Sequence, residues 1–237
     1  MNNYRIEKFS NKDELEHASS KIISTHINNC LTHKDRIQIS LCGGSTPFNT
    51  YKILSNEKIE WEKVDVFLGD ERWVDLNNES SNALMIRNSL LLNSPGSKAS
   101  FYSVPTTELS SPEESADAYE KILKKYCLGD PPSFDLILLG LGEDGHTASL
   151  FPYSPSLNIN NRFTAVGHGK GHERITLTHK ILSSAKKIIF LISGSSKQTA
   201  LKRLLDPLES SDRTPAKLVR SEKEILVLAD YVAAEFI

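Results

Sequence analysis

One histidine stands in a setting that packing alone does not call for. His146 lies within Gly140-Leu141-Gly142-Glu143-Asp144-Gly145-His146-Thr147-Ala148-Ser149-Leu150-Phe151-Pro152, where three glycines surround a carboxylate and an imidazole. Glycines let backbone N–H groups and side chains come close to a ligand. Histidine is the natural general base near neutral pH. Asp144 can fix the tautomer of that base or position a substrate hydroxyl. Residues 140–145 formally satisfy GxGxxG. The match to a dinucleotide-binding turn is weak, because no acidic residue ends a second strand about 20 residues on.

Three further loops carry polar chemistry. Gly43-Gly44-Ser45-Thr46-Pro47 offers two glycines, two hydroxyls that can also cap a helix, and a proline suited to the first helical position. Free N–H groups and the helix dipole there favour a phosphate. A plain strand-to-helix turn has the same composition, and GxxxxGK[ST] is absent. Gly69-Asp70-Glu71-Arg72-Trp73-Val74 places three charges after an apolar run, which is costly unless they are paired or used on a ligand. Arg72 can clamp a phosphate or an oxyanion with its planar fork. Asp70 or Glu71 can orient a base or bind sugar hydroxyls, and an ion pair at a strand end is the alternative. In Gly194-Ser195-Ser196-Lys197, Lys197 either reaches a phosphate as a point charge or stays solvated. Arg174, ahead of ITLT, is a further anion partner or a surface arginine at a strand start.

The remaining histidines carry little. His168 and His172 are four apart but on a Gly-rich stretch rather than a helix. His17, His26, His33 and His179 read as solvated helix residues. With no HExxH, CxxC or carboxylate cluster, no metal is expected.

These groups need a scaffold. Residues 12–33 read as a helix, with Leu15, Ala18, Ile22, Ile23 and Ile27 roughly on one face. Strands are expected at 36–42, 64–69, 134–140, 174–178, 187–193 and 224–230, and a further one at 100–104. Helices are expected over 47–55, 81–92, 112–127 and 196–206. Ser111 can cap the third of these, with Pro112 in the first turn and Glu113 and Glu114 at its positive end. FDLILLG (134–140) is nearly all apolar, as a strand covered on both faces must be. The alternation predicts an α/β fold: an open, largely parallel Rossmann-like sheet with helices on both faces. Each chemistry-bearing loop then follows a strand, and parallel strands bring the loops to one rim. The stretches 152–161 and 167–172 read as surface loops, and 1–237 as a single domain.

Composition narrows the partners. The chain has 237 residues, 39% hydrophobic and 24% charged, with 28 Lys+Arg against 30 Asp+Glu for a net charge of −2. That is an ordinary globular balance, with no basic excess for nucleic acid or an anionic membrane. No run approaches the ~18 apolar residues of a membrane span, and the polar N-terminus has no signal-peptide core. Cys30, Cys42 and Cys127 are odd in number and widely spaced, which fits a reducing compartment. A cytoplasmic protein is expected, as a monomer or weak homodimer.

LCGGSTP (41–47), GDERWV (69–74), SN (81–82), LGLGEDGHTASLFP (139–152), RITLT (174–178) and GSSK (194–197) occur in an order and spacing that resembles the 6-phosphogluconolactonases. The likeness covers roughly 36–230, and DGHTASLFP is its most specific block. The related glucosamine-6-phosphate deaminases carry a turn similar to DGHIAFNEP, whereas Thr147 and Ser149-Leu150-Phe151-Pro152 resemble the lactonase branch. Asp75, Cys42 and Glu173 depart from the usual residues at their positions. The resemblance implies the fold shared with those deaminases and with ribose-5-phosphate isomerases. It implies hydrolysis of 6-phospho-D-glucono-1,5-lactone in the oxidative pentose phosphate pathway, with no cofactor. The family's catalytic histidine falls on His146, and its phosphate and substrate contacts on Gly43, Gly44, Ser45, Thr46, Arg72, Arg174 and Lys197. Two other readings remain at this stage: an isomerase or deaminase of the same fold, and a phosphosugar-sensing module.

Overall fold

A computed structural model describes residues 3–127, 129 and 131–237. In chain order its elements are β1 (Asn3–Phe9), α1 (Lys12–Leu31), β2 (Ile37–Leu41), α2 (Pro47–Leu54), β3 (Val64–Leu68), β4 (Asp70–Arg72), α3 (Asn82–Ser89) and β5 (Ser100–Tyr102). There follow α4 (Pro112–Tyr126), β6 (Leu136–Leu139), β7 (Thr164–Gly169), β8 (His172–Leu177), α5 (His179–Ser183), β9 (Ile188–Ile192), α6 (Gln198–Leu205) and β10 (Glu224–Asp230).

Seven strands form one sheet in the order β1-β10-β9-β6-β2-β3-β5, and every pairing in it is parallel. Successive side chains on a strand face opposite sides. Every residue of β2, β3, β6 and β9 is buried, so both faces of the sheet are covered. The helices start where their caps dictate. Asn11 accepts the Glu14 N–H at 2.9 Å to open α1, and Ser111 accepts that of Glu114 at 3.2 Å to open α4, with Pro112 in its first turn.

The path of the chain creates the site. From β2 it runs outward through β3 to β5, then returns to the other side of β2 to lay down β6, β9 and β10. The order reverses between β2 and β6, and open sheets of this kind bind ligands outside the carboxyl ends at that switch point. Two buried tyrosines fix those ends. The Tyr51 hydroxyl donates to Cys42 O at 2.9 Å just past β2. The Tyr119 hydroxyl donates to Leu68 O at 2.8 Å and accepts from Leu68 N at 3.0 Å at the end of β3.

Four local expectations differ. The N-terminal segment, read as merely polar, contains β1. Among the described residues it is an edge strand paired with β10 alone, with Arg5 and Lys8 exposed, and charges on an edge resist further pairing. RITLT does not extend the parallel sheet: β8 pairs antiparallel with β4 and β7 in a separate three-stranded sheet. Residues 167–172, read as a surface loop, are the inner ends and turn of the β7–β8 hairpin. His26 and His179 are half-buried rather than solvated, with Nε2 3.0 Å from Asp135 O and 2.9 Å from Asn160 Oδ1 respectively.

Candidate active site

The turn after β6 carries His146. Gly142 N donates to His146 O at 2.8 Å and Gly145 N to Gly142 O at 2.9 Å, closing a tight loop. Its glycines are sterically required. A Cβ on Gly142 would lie 1.9 Å from His146 Nδ1, and Gly145 has φ +94° with Thr214 3.0 Å from where its Cβ would be. The imidazole is held on two sides. Nδ1 is 2.5 Å from Asp144 Oδ1, and the ring lies on Phe151 with centroids 4.6 Å apart. A carboxylate cannot donate, so Nδ1 of the neutral ring carries the proton and Nε2 presents its lone pair. The side chain stays 14% exposed, which leaves it open to solvent and substrate. Burial pulls the Asp144 carboxyl up, but the hydrogen bond and charge of His146 outweigh it and hold that carboxyl well below the usual range.

The small sheet supplies the cations. In its register Arg72 of β4 stands opposite Arg174 of β8. Arg72 donates through Nη1 to Ser80 O at 2.6 Å and Asn82 Oδ1 at 2.8 Å, and its buried Nε has no partner among the described residues. Arg174 is only 5% exposed. Its Nη1 lies 3.5 Å from Asp70 Oδ2, its Nε donates to Gly169 O at 3.2 Å, and its guanidinium lies 5.4 Å from the Phe151 ring centroid. Glu173 does not compete for Arg174, because its carboxylate lies 3.9 Å from His168 Nδ1.

The two acids of the β3–β4 corner have other employment than orienting His146. Asp70 Oδ2 accepts the Ser149 hydroxyl at 2.5 Å and faces Arg174. Glu71, fully buried, accepts the N–H groups of Asn82 and Ala83 at 2.7 Å and that of Arg72 at 2.8 Å, and the Ser81 hydroxyl at 3.1 Å. Glu71 therefore anchors the start of α3, where the helix leaves N–H groups unpaired.

Asn82 joins these parts to the glycine loop. Its Nδ2 donates to Asp70 O at 2.7 Å, and its side chain lies so close to Gly43 that a Cβ there would be 1.8 Å from Oδ1. Gly44 has φ +107° with open space around it. The expected side-chain cap from Thr46 is absent, because Thr46 already has helical φ and ψ. Cys42 precedes this loop as a buried thiol, pushed up to about 12 by desolvation and so no nucleophile. On the opposite flank, Asp230 at the end of β10 accepts the Ser193 hydroxyl at 2.5 Å and the Gly194 N–H at 3.1 Å. That fixes the turn bearing Lys197, whose Nζ is 4.0 Å from Glu143 Oε1. Burial lowers the pKa of the Lys197 ammonium against the opposing pull of Glu143.

His146, Asp144, Arg72, Arg174, Gly43, Gly44 and Lys197 thus share one rim, linked through Asn82, Asp70, Ser149 and Phe151. Of these four, only Asp70 was singled out as a candidate in the sequence. Asn82 and Phe151 lay inside the quoted motifs, but only long-range register reveals whom they touch. Among the described residues no group of three or more His, Cys, Asp and Glu is placed to hold a metal ion.

An open parallel sheet with its polar groups gathered at the switch point defines the α/β class that takes small molecules at its carboxyl edge. The chain belongs to the glucosamine-6-phosphate isomerase/6-phosphogluconolactonase family, whose model matches residues 10–228. It is 36% identical over 234 residues to a 6-phosphogluconolactonase of Synechocystis sp., covering 98% of this chain and 97% of the relative. The 6-phosphogluconolactonase structure from Trypanosoma brucei superposes with a TM-score of 0.87 at 27% identity, covering 99% of both chains. A monomeric glucosamine-6-phosphate deaminase superposes with a TM-score of 0.80 at 21% identity over 98% of this chain and all of that one, a likeness of fold alone.

Proposed function

We propose that the protein is a 6-phosphogluconolactonase, hydrolysing 6-phospho-D-glucono-1,5-lactone to 6-phospho-D-gluconate in the oxidative pentose phosphate pathway. The observation that carries the mechanism is the Asp144–His146 contact at 2.5 Å on the sheet's carboxyl rim. His146 Nε2 takes a proton from water as the water oxygen bonds to the lactone carbonyl carbon. Asp144 holds the ring and stabilises the imidazolium that forms. Loop N–H groups or the Arg72 guanidinium stabilise the oxyanion. The tetrahedral intermediate collapses by breaking the bond to the ring oxygen, which takes the proton back from His146. The loop 43–46, Arg174 and Lys197 hold the phosphate, whose remote binding fixes the lactone for attack. Every step uses side chains and water, so the reaction as written needs no cofactor.

The test is lactone decay measured against its spontaneous rate. The protein accelerates it, and His146→Asn cuts kcat by about 10²–10⁴-fold. Near-normal turnover in that variant removes His146 from the role. Ammonia release from glucosamine 6-phosphate, without lactone turnover, overturns the assignment in favour of a deaminase.

A further inference from the structure

A cavity of about 900 Å³ lies away from the His146 turn, and none of the rim residues described above lines it. Its volume falls within the range of small-molecule sites, about 300–1,000 Å³. Ser183 and Lys186 on its wall precede β9, Arg220 and Lys223 precede β10, and Tyr4 stands near the start of β1. These strands run parallel to one another and to β6. That part of the wall therefore gathers at the amino edge of the sheet, whereas His146 follows the carboxyl end of β6. The end of α6 and the segment after it add Leu205, Pro207 and Lys217.

The cations of this wall exceed what its acids neutralise. It holds Lys186, Lys217, Arg220 and Lys223 against Glu209 and Glu222. Glu209 is committed elsewhere: its Oε1 lies 3.2 Å from Arg213 Nε and accepts the Thr214 hydroxyl at 2.9 Å. Lys186 shares its partner, because its Nζ and that of Lys34 lie 3.1 and 2.6 Å from the same Asp135 Oδ1. Lys217 Nζ donates to two backbone carbonyls, Leu204 O at 3.3 Å and Asp206 O at 2.5 Å. An ammonium has three donors, so one remains. Among the described residues, Lys217, Arg220 and Lys223 have no carboxylate within ion-pair distance. Hydroxyls fix the backbone that carries the last two: Arg220 N donates to Ser183 Oγ at 2.9 Å and Lys223 N to Ser221 Oγ at 3.0 Å. Their exposed side chains can turn onto a ligand without moving the fold.

We infer that this cavity is a second ligand site, for a phosphorylated organic anion of nucleotide size. Arg220 takes two phosphate oxygens in its planar fork, and Lys217 and Lys223 act as point charges. Tyr4, Leu205 and Pro207 offer apolar surface to the organic body. The site is independent of the lactonase reading. The test is amide NMR of the full chain titrated with inorganic pyrophosphate and with adenosine diphosphate, in the wild type and in the double variant Arg220→Ala/Lys223→Ala. Both probes should give saturable shifts at Ser183, Lys186 and Lys223. Adenosine diphosphate should bind about 10-fold more tightly than pyrophosphate, because its organic body buries apolar surface. The double variant should bind it about 10–100-fold more weakly, the range for losing charged hydrogen bonds, with Tm and lactone turnover unchanged. Shifts confined to the turns at 43–46 and 194–197, equal affinity in the double variant, or adenosine diphosphate binding no more tightly than pyrophosphate would each overturn the inference and leave the hydrolase reading intact.

Discussion

Arg72 and Arg174 occupy one cross-strand pair of the small antiparallel sheet, and among the described residues only Arg174 has a carboxylate, Asp70, within ion-pair distance. Like charges directly opposite each other destabilise a sheet. The arrangement makes sense if an anion completes it. 6-Phosphogluconate should therefore stabilise the protein by linkage, by about 2.7 kcal/mol at a hundred times its Kd. Arg72→Lys keeps the charge but loses the planar fork. At the same ligand concentration its Tm should rise less than that of the wild type. An identical rise would place the ligand away from this pair.

Asp144 acts through the tautomer of His146. Asp144→Asn can offer an amide N–H to Nδ1, which pushes the ring proton to Nε2 and removes the lone pair that the mechanism needs. The expected result is a kcat about 10²-fold lower or more, with KM little changed. Nitrogen NMR of the imidazole should show the proton moved from Nδ1 to Nε2. A wild-type tautomer with lost activity would mean that Asp144 contacts the substrate instead.

Gly142 separates positioning from folding. An added Cβ would meet His146 Nδ1 at 1.9 Å, and Asp144 Oδ1 at 2.6 Å. Both are ends of side chains on an accessible turn, so Gly142→Ala should displace the ring and leave the core intact. A misplacement of about 1 Å can cost 10²-fold in rate. Activity should fall by that order while Tm shifts by only a few degrees. Wild-type turnover would show that the ring position is not critical.

The parts legible in the sequence were those set by local chemistry. β2, β3, β6, β9 and β10 read as apolar runs because both faces of the sheet are covered. α4 announced itself through Ser111, Pro112 and the acids after them. The glycines around His146 read as a site because packing does not need them. What stayed hidden depends on register between distant segments. β4 has three residues, too few for a period, and β7 ends in glycines that mimic a loop. Glu71 read as able to orient a base or bind sugar hydroxyls because nothing local shows that α3 brings its N–H groups to it. Asp70 read as a ligand group or an ion-pair member without a named partner, because Ser149 and Arg174 lie 79 and 104 positions further along the chain.

Glu120 supplies a pH signature away from the site. It sits on α4 and ties down the start of β7. Its carboxylate lies 2.7 Å from Lys124 Nζ and 3.3 Å from Arg162 Nε, and accepts Phe163 N–H at 3.1 Å and the Thr164 hydroxyl at 3.3 Å. Burial alone would raise its pKa, but these donors outweigh that and lower it from 4.5 to about 2. A carboxylate whose folded pKa lies below its unfolded one stabilises the fold above the unfolded value. That stabilisation is lost as pH falls from about 4.5 towards 2. Glu120→Gln should therefore cost about 2 kcal/mol in urea unfolding at neutral pH, allowing for solvent screening of the partly exposed Lys124 and Arg162. By about pH 3 the gap to wild type should shrink to less than half. A constant gap across that range would mean that Glu120 contributes through packing and not through its charge.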